Sequence, residues 1–281
     1  MVLEEWLPDE TLVNIGAENN FAETAFLVRD ESGEADWELR WFTPAAEIRL
    51  CGHATLASGH MLLTRDGGER VTFRTRQSGI LEVRRADDGY EVALPAIQTM
   101  PGEWDDAARL LGGAPQELWR SDLGYNLFLY ESEEQILALD PDFRGLGALG
   151  DELFICTAPG RSTDIISRVF VPAYGIDEDP ATGGAHAVLA PYWTAKLGKR
   201  SFTAYQASKR GGSLACRIDG ERVWLAGDRR VLPLTIRSGR APRHPLLRPA
   251  SRCVLHGSND QGVPKSAFDR EKRGHTGPYA R

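Results

Sequence analysis

Apolar and polar residues alternate in short bursts along the first hundred positions. Thr24 to Val28, Trp37 to Phe42, Val71 to Thr75, Ile80 to Arg84 and Tyr90 to Leu94 are alternating or β-rich runs, most of them parted by Gly, Asp or Ser turns. They predict a mixed, largely antiparallel sheet. Pro8-Asp9-Glu10 opens a short helix by placing proline and acids in its first turn, and Ala54 to Thr64 is the one long helical stretch in this half. Alternation stops between Pro95 and Glu103, the best candidate for a domain boundary. The plan then recurs, with strands near Leu127 to Tyr130, Leu153 to Thr157 and Ile165 to Phe170, a helix from His186 to Lys196, and strands at Phe202 to Gln206, Ser213 to Ile218 and Arg222 to Leu225.

The recurrence extends to motifs. Arg40-Trp41-Phe42-Thr43-Pro44-Ala45 precedes Gly52-His53-Ala54-Thr55-Leu56-Ala57; roughly 130 residues later Arg168-Val169-Phe170-Val171-Pro172-Ala173 precedes Ala185-His186-Ala187-Val188-Leu189-Ala190. Each copy reads as a strand, a small-residue loop carrying carboxylates, and a helix opened by a histidine. The expected fold class is α+β, built from two similar halves, 1–97 and 98–239. Two helix N-termini facing one cleft would suit a carboxylate or other small anion. From about Arg240 to Arg281 the chain is basic, rich in Pro, Arg, Gly and Ser, and without a period, so 240–281 is expected to be a disordered tail.

Composition narrows the function classes. The 281 residues, 42% of them hydrophobic, suffice for two cores. A formal net charge of -7 argues against nucleic acid and against an anionic membrane surface as partners. No apolar stretch approaches the roughly 20 residues of a membrane helix, and Met1-Val2-Leu3-Glu4-Glu5-Trp6 lacks the basic start of a signal peptide, so a cytosolic protein is expected. Cys51, Cys156, Cys216 and Cys253 stand far apart and suggest neither a zinc site nor a disulfide framework.

Four places offer chemistry. Glu23 lies where a polar loop becomes an apolar strand, at the strand's mouth; the pattern alone also fits a solvated loop acid. Glu47 could serve a site or cap the helix that follows. Asp177-Glu178-Asp179-Pro180-Ala181-Thr182-Gly183-Gly184 combines mutually repelling acids with adjacent glycines, which fits a backbone anion site and also an acidic N-cap with a tight turn. His53 and His186 hold matching places in the repeat, where a helix N-terminus lowers an imidazole pKa and favours the neutral form. Each could also be a packing residue. No His-x-x-x-His spacing points to a metal.

Taken together, five ordered motifs carry a resemblance: Asn20-Phe21-Ala22-Glu23-Thr24-Ala25-Phe26; Arg40-Trp41-Phe42-Thr43-Pro44 with Glu47; Leu50-Cys51-Gly52-His53-Ala54-Thr55-Leu56-Ala57; Glu178-Asp179-Pro180-Ala181-Thr182-Gly183; and Gln206-Ala207-Ser208-Lys209-Arg210-Gly211-Gly212. From about Trp6 to about Gly227 the chain resembles the phenazine-biosynthesis isomerase family (PhzF-like). The resemblance implies a diaminopimelate-epimerase-like fold, with two domains related by a pseudo-twofold axis, each a mixed sheet curled around a central helix, and a homodimer. It implies a cofactor-free isomerase acting on a small carboxylate substrate. Glu23 would be the acid/base, with His53 and Asp179 holding polar groups of the substrate and Gly52, Gly183, Gly184, Gly211 and Gly212 binding it through the backbone.

Three departures from the family pattern stand out. The extra first strand that usually precedes the Trp6 region is missing, so a sheet edge is expected to be unpaired. Gly184 stands where a small polar residue is usual, which removes a side-chain hydroxyl from the site. The residues after about Gly239 match no family C-terminus. Two rivals are a two-thiol racemase on the same fold, for which Cys51 lacks a counterpart between Asp179 and Gly184, and an inactive binding scaffold.

Overall fold

In the computed structural model, which describes residues 1–87 and 89–227, the alternating runs become strands of a single hydrogen-bonded path. The first half runs α1 (Asp9–Asn19), β1 (Thr24–Arg29), β2 (Trp37–Phe42), β3 (Glu47–Ile48), α2 (Gly52–Asp66), β4 (Arg70–Thr75), β5 (Ile80–Ala86) and β6 (Gly89–Pro95). The chain continues through β7 (Met100–Pro101), α3 (Asp105–Leu110), β8 (Glu117–Arg120), β9 (Tyr125–Leu129), α4 (Glu133–Ala138) and α5 (Phe143–Gly147). It ends with β10 (Leu153–Pro159), β11 (Ile165–Phe170), a 3-10 turn (Pro172–Tyr174), α6 (Gly183–Leu197), β12 (Ser201–Gln206), β13 (Gly212–Asp219) and β14 (Arg222–Gly227). The tail expected at 240–281, and 228–239 before it, lie outside the described residues.

Strand pairing repeats in the two halves. β1 and β2 pair antiparallel, β2 crosses over through α2 to the parallel strand β4, and β5 and β6 follow antiparallel. β10 and β11, the crossover through α6 to parallel β12, and then β13 and β14 do the same. A parallel pair needs such a crossover, which is why one long helix sits between strands in each half. β6 and β14 join the halves antiparallel. Past Pro95 the chain donates Ala96 N–H to Glu221 O and Ile97 N–H to Ala187 O.

The inner strand faces and the two long helices form one core, with Leu39, Trp41, Leu62, Val83, Val169, Leu189 and Trp193 buried in it. Outer faces are covered separately. Leu12 of α1 packs on Phe26 and Phe42, while α3, α4 and α5 cover Phe128, Phe154 and Phe170. Strands such as β11 are therefore apolar on both faces and read as near-continuous runs.

One ion pair is duplicated with its surroundings. Arg40 of β2 grips Glu47 through Nε and Nη2, both at 2.7 Å, and its guanidinium lies 4.8 Å from the Phe42 ring. Arg168 of β11 grips Glu178 at 2.8 and 3.0 Å and also lies 4.8 Å from its ring, that of Phe170. Glu47 and Glu178 each bridge the phenylalanine of that strand. Glu47 is thus a strand residue in a structural ion pair and caps no helix. Glu178 is paired with the Arg168 cation, which offsets much of the repulsion expected among the three acids.

Several expectations are corrected. α1 is a full helix of 11 residues, and α3 to α5, β7 and β8 are elements too short to show a period. The edge of β1 is not left open: Met1 and Val2 run along it in a parallel bridge, Leu27 N–H donates to Met1 O and Leu3 N–H to Leu27 O, each at 2.8 Å. Among the described residues no helix is long and apolar enough to cross a membrane.

Candidate active site between two helix ends

The N-termini of α2 and α6 meet at two glycines. A Cβ on Gly52 would stand 3.2 Å from the Cα of Gly183, and a Cβ on Gly183 would stand 3.1 Å from the Cα of Gly52. A side chain at either position would have to push the facing helix end back by a few tenths of an ångström. Gly52→Ala is expected to cost about 1–3 kcal/mol by overpacking, since Leu94 also lies 3.2 Å from that Cβ, and urea unfolding measures it. The first amides of each helix have no carbonyl within their own helix to bond, so both ends present donors.

Glu23, Gly52, His53, Asp179, Gly183 and Gly184 all line one cleft of about 1470 Å³. Glu23, just ahead of β1, has one carboxylate oxygen 3.0 Å from Nε2 of His53. That contact lies off the line of a hydrogen bond. Glu23 Oε2 is therefore buried without a hydrogen-bond partner among the described residues. Asp179 Oδ2 accepts from the Thr182 hydroxyl at 2.7 Å, which leaves Oδ1 to a ligand. Gly211 and Gly212 do not line the cleft. The Gly211 N–H is engaged by Ser208, which takes it away from the site, and Gly212 stands opposite Gln206 across β12 and β13.

Residues 1–231 match the family described as phenazine biosynthesis-like protein. The chain belongs to that family. An uncharacterised isomerase of Pseudomonas aeruginosa is 46% identical over 228 residues, which cover 80% of this chain and 85% of that protein. The crystal structure of a PhzF-family phenazine biosynthesis protein from Enterococcus faecalis aligns with a TM-score of 0.70 at 38% identity, over 80% of this chain and 85% of that one. A predicted epimerase from Pseudomonas aeruginosa shares the fold at 19% identity, with a TM-score of 0.59 over 81% of this chain and 88% of that one. This chain is accordingly an isomerase of the PhzF type on an α+β, epimerase-like fold.

The two histidines of this PhzF-family isomerase are not equivalent. Cys51 caps α2 and Thr182 caps α6, so His53 corresponds to Gly184, and His186 holds the place of Thr55. Thr55 returns its hydroxyl to the Cys51 carbonyl at 2.6 Å; His186 returns Nδ1 to the Thr182 carbonyl at 2.8 Å. The second helix is opened by two glycines, and the histidine match in sequence is two residues out of register.

Their electrostatics diverge too. His53 is raised well above the ordinary imidazole pKa, chiefly by the negative charge the Cys51 sulfur can carry and then by its close contacts with Cys51 and the Glu23 carboxylate, with burial opposing. The lowering expected from the helix end is overruled by these closer charges. His186, wholly buried, is pushed down to about 4 by desolvation, which its bond to Thr182 only partly offsets. Its neutral form therefore favours the fold above pH 6.5, and that contribution is lost as pH falls toward 4. The shift corresponds to about 3 kcal/mol. The difference in unfolding free energy between wild type and His186→Thr should change by that amount between pH 6.5 and 4, with the wild type losing stability relative to the variant as the pH falls.

Sequence reasoning missed the residues that hold the site. Gln206, fully buried at the end of β12, donates to Asp179 O at 2.6 Å and to the Thr182 hydroxyl, and accepts from Thr182 N–H. Ser208 donates to Pro180 O at 2.8 Å. Both lie in a quoted motif, but only the fold shows what they tie. Cys51 Sγ stands 3.7 Å from both ring nitrogens of His53, and Glu23, Cys51 and His53 bring one donor atom each within 4.8 Å of one another. That O, S and N set could hold a metal ion, although the sequence spacing gave no sign of it. Tyr125, which opens β9, also lines the cleft.

Proposed function

We propose that this isomerase moves a proton between two carbons of a small carboxylate-bearing substrate, with Glu23 as the single general acid/base, in the manner of a trans-2,3-dihydro-3-hydroxyanthranilate isomerase. The observation that carries this reading is the buried Glu23 oxygen without a hydrogen-bond partner, facing a cleft between two helix ends. A buried carboxylate oxygen is normally satisfied, and an unsatisfied one marks strain or chemistry.

In this reading Glu23 takes a proton from one carbon, the double bond shifts toward the vacated position, and the same carboxyl returns a proton at the far carbon. Such a group supplies about 10²–10⁴-fold in rate. His53 is the charged donor that holds a polar substituent, and Asp179 Oδ1 accepts from another. The amides of Gly52, Gly183 and Gly184 bind the substrate carboxylate. Because the pKa of His53 is raised, turnover persists from below pH 6.5 through neutrality and falls on the alkaline side. No cofactor is required. The reading includes two domains, 1–97 and 98–239, within each chain and a cytosolic homodimer of two such chains, which sedimentation of the purified chain measures.

A two-base epimerase is the second reading, favoured by Cys51 beside His53. The matching cap is Thr182, whose hydroxyl already donates to Asp179, so a second thiol base is not supplied there. Proton NMR in deuterated water, with trans-2,3-dihydro-3-hydroxyanthranilate and a panel of small cyclic and amino-acid carboxylates, tests the proposal. Carbon-bound deuterium in at least one compound is expected; no exchange across the panel by folded protein would contradict it.

A further inference from the structure

Position 184 carries no side chain, and the structure shows what fills the space. A Cβ built on Gly184 would stand 2.7 Å from the hydroxyl of Tyr125, 3.0 Å from its Cε1 and 3.2 Å from its Cζ. Any side chain there would displace the tyrosine, so Gly184 and Tyr125 are one arrangement. The ring packs against the central core, and the backbone is fixed at the sheet's mouth: Ser121 N–H donates to Tyr125 O, and Tyr125 is in register with Leu153 of β10. The hydroxyl makes no hydrogen bond to protein among the described residues, and Tyr125 lines the same cleft as Glu23 and His53.

Gly184 is the structural counterpart of His53. One wall of the cleft thus offers an imidazole from the first turn of its helix, and the other offers a hydroxyl delivered over a bare first turn from β9. We infer that Tyr125 is a substrate-binding residue whose hydroxyl, with the Gly183 and Gly184 amides, donates to the carboxylate of the substrate. Burial, then the negative charge of neighbours including Tyr174 and Cys51, pushes the phenol up to about 12, so it stays a donor at any working pH. Two amides and a phenol match the oxygens of a planar carboxylate and have nothing comparable to give a neutral amide. The inference rests on the functional reading above but concerns binding rather than proton transfer.

The test is calorimetric titration of benzoate and benzamide into wild type and Tyr125→Phe. A hydrogen bond to a charged group predicts benzoate affinity about ten- to a hundredfold weaker in the variant, with benzamide binding and the urea midpoint unchanged. Benzoate affinity within about twofold of wild type would overturn the inference, as would an equal loss of both ligands or no benzoate binding by wild type. Exchange by Glu23→Gln is measured separately, so a failure of Tyr125 leaves the proton-transfer reading standing, and the reverse.

Discussion

Glu23→Gln is expected to lower kcat by about 10²–10⁴-fold and to leave the fold intact. The amide keeps the shape of the carboxyl but cannot accept and return a proton. Stability should move by no more than about 1 kcal/mol, because the change removes a 3.0 Å contact with His53 and also a buried oxygen with no hydrogen-bond partner. Substrate KM should change less than kcat, since the proposed binding donors lie elsewhere. A stopped assay and a urea titration on the same preparation measure both. Turnover near the wild-type rate would remove Glu23 from the chemistry.

Arg168→Met is expected to destabilise the protein by about 3 kcal/mol and to raise KM more than it lowers kcat. Arg168 and Glu178 are both less than a fifth exposed, at 15% and 19%, so losing the cation leaves a largely buried carboxylate unpaired. The same guanidinium donates to Leu139 O at 2.8 Å, tying the end of α4 to the sheet. Glu178 precedes Asp179, and a loosened loop would misplace the aspartate that Gln206 otherwise holds. Arg200→Met is the control. Its Asp219 pair is 67% and 63% exposed, and such pairs contribute about 0–1 kcal/mol. Equal effects from the two variants would refute the anchoring role of Arg168.

The repeat was legible because it is written in both local pattern and motif: β2 and β11 fall on the expected residues, and Arg40 and Arg168 make the same ion pair. Its register in the helices was not. Thr55 and His186 both bond back to a cap carbonyl, a role that threonine and histidine share through geometry and not through similarity of side chain. The first turn of α6 was missed for a related reason, since two glycines look like a loop until a helix end packs against Gly52. The rise in the His53 pKa depends on Cys51 and Glu23 converging from the cap of α2 and the mouth of β1, 28 residues apart in sequence. Tyr125 gave no signal because a tyrosine at a strand start is ordinary; its relation to Gly184 exists only in space.

In the proposed reaction the Glu23 carboxylate alone moves the proton, with no second base. Deuterium incorporation at substrate carbon, followed by proton NMR in deuterated water for wild type, Glu23→Gln and Cys51→Ala side by side, tests it most directly. Incorporation is expected from wild type and Cys51→Ala and none from Glu23→Gln. Incorporation by Glu23→Gln at the wild-type rate, or its loss in folded Cys51→Ala, would contradict it.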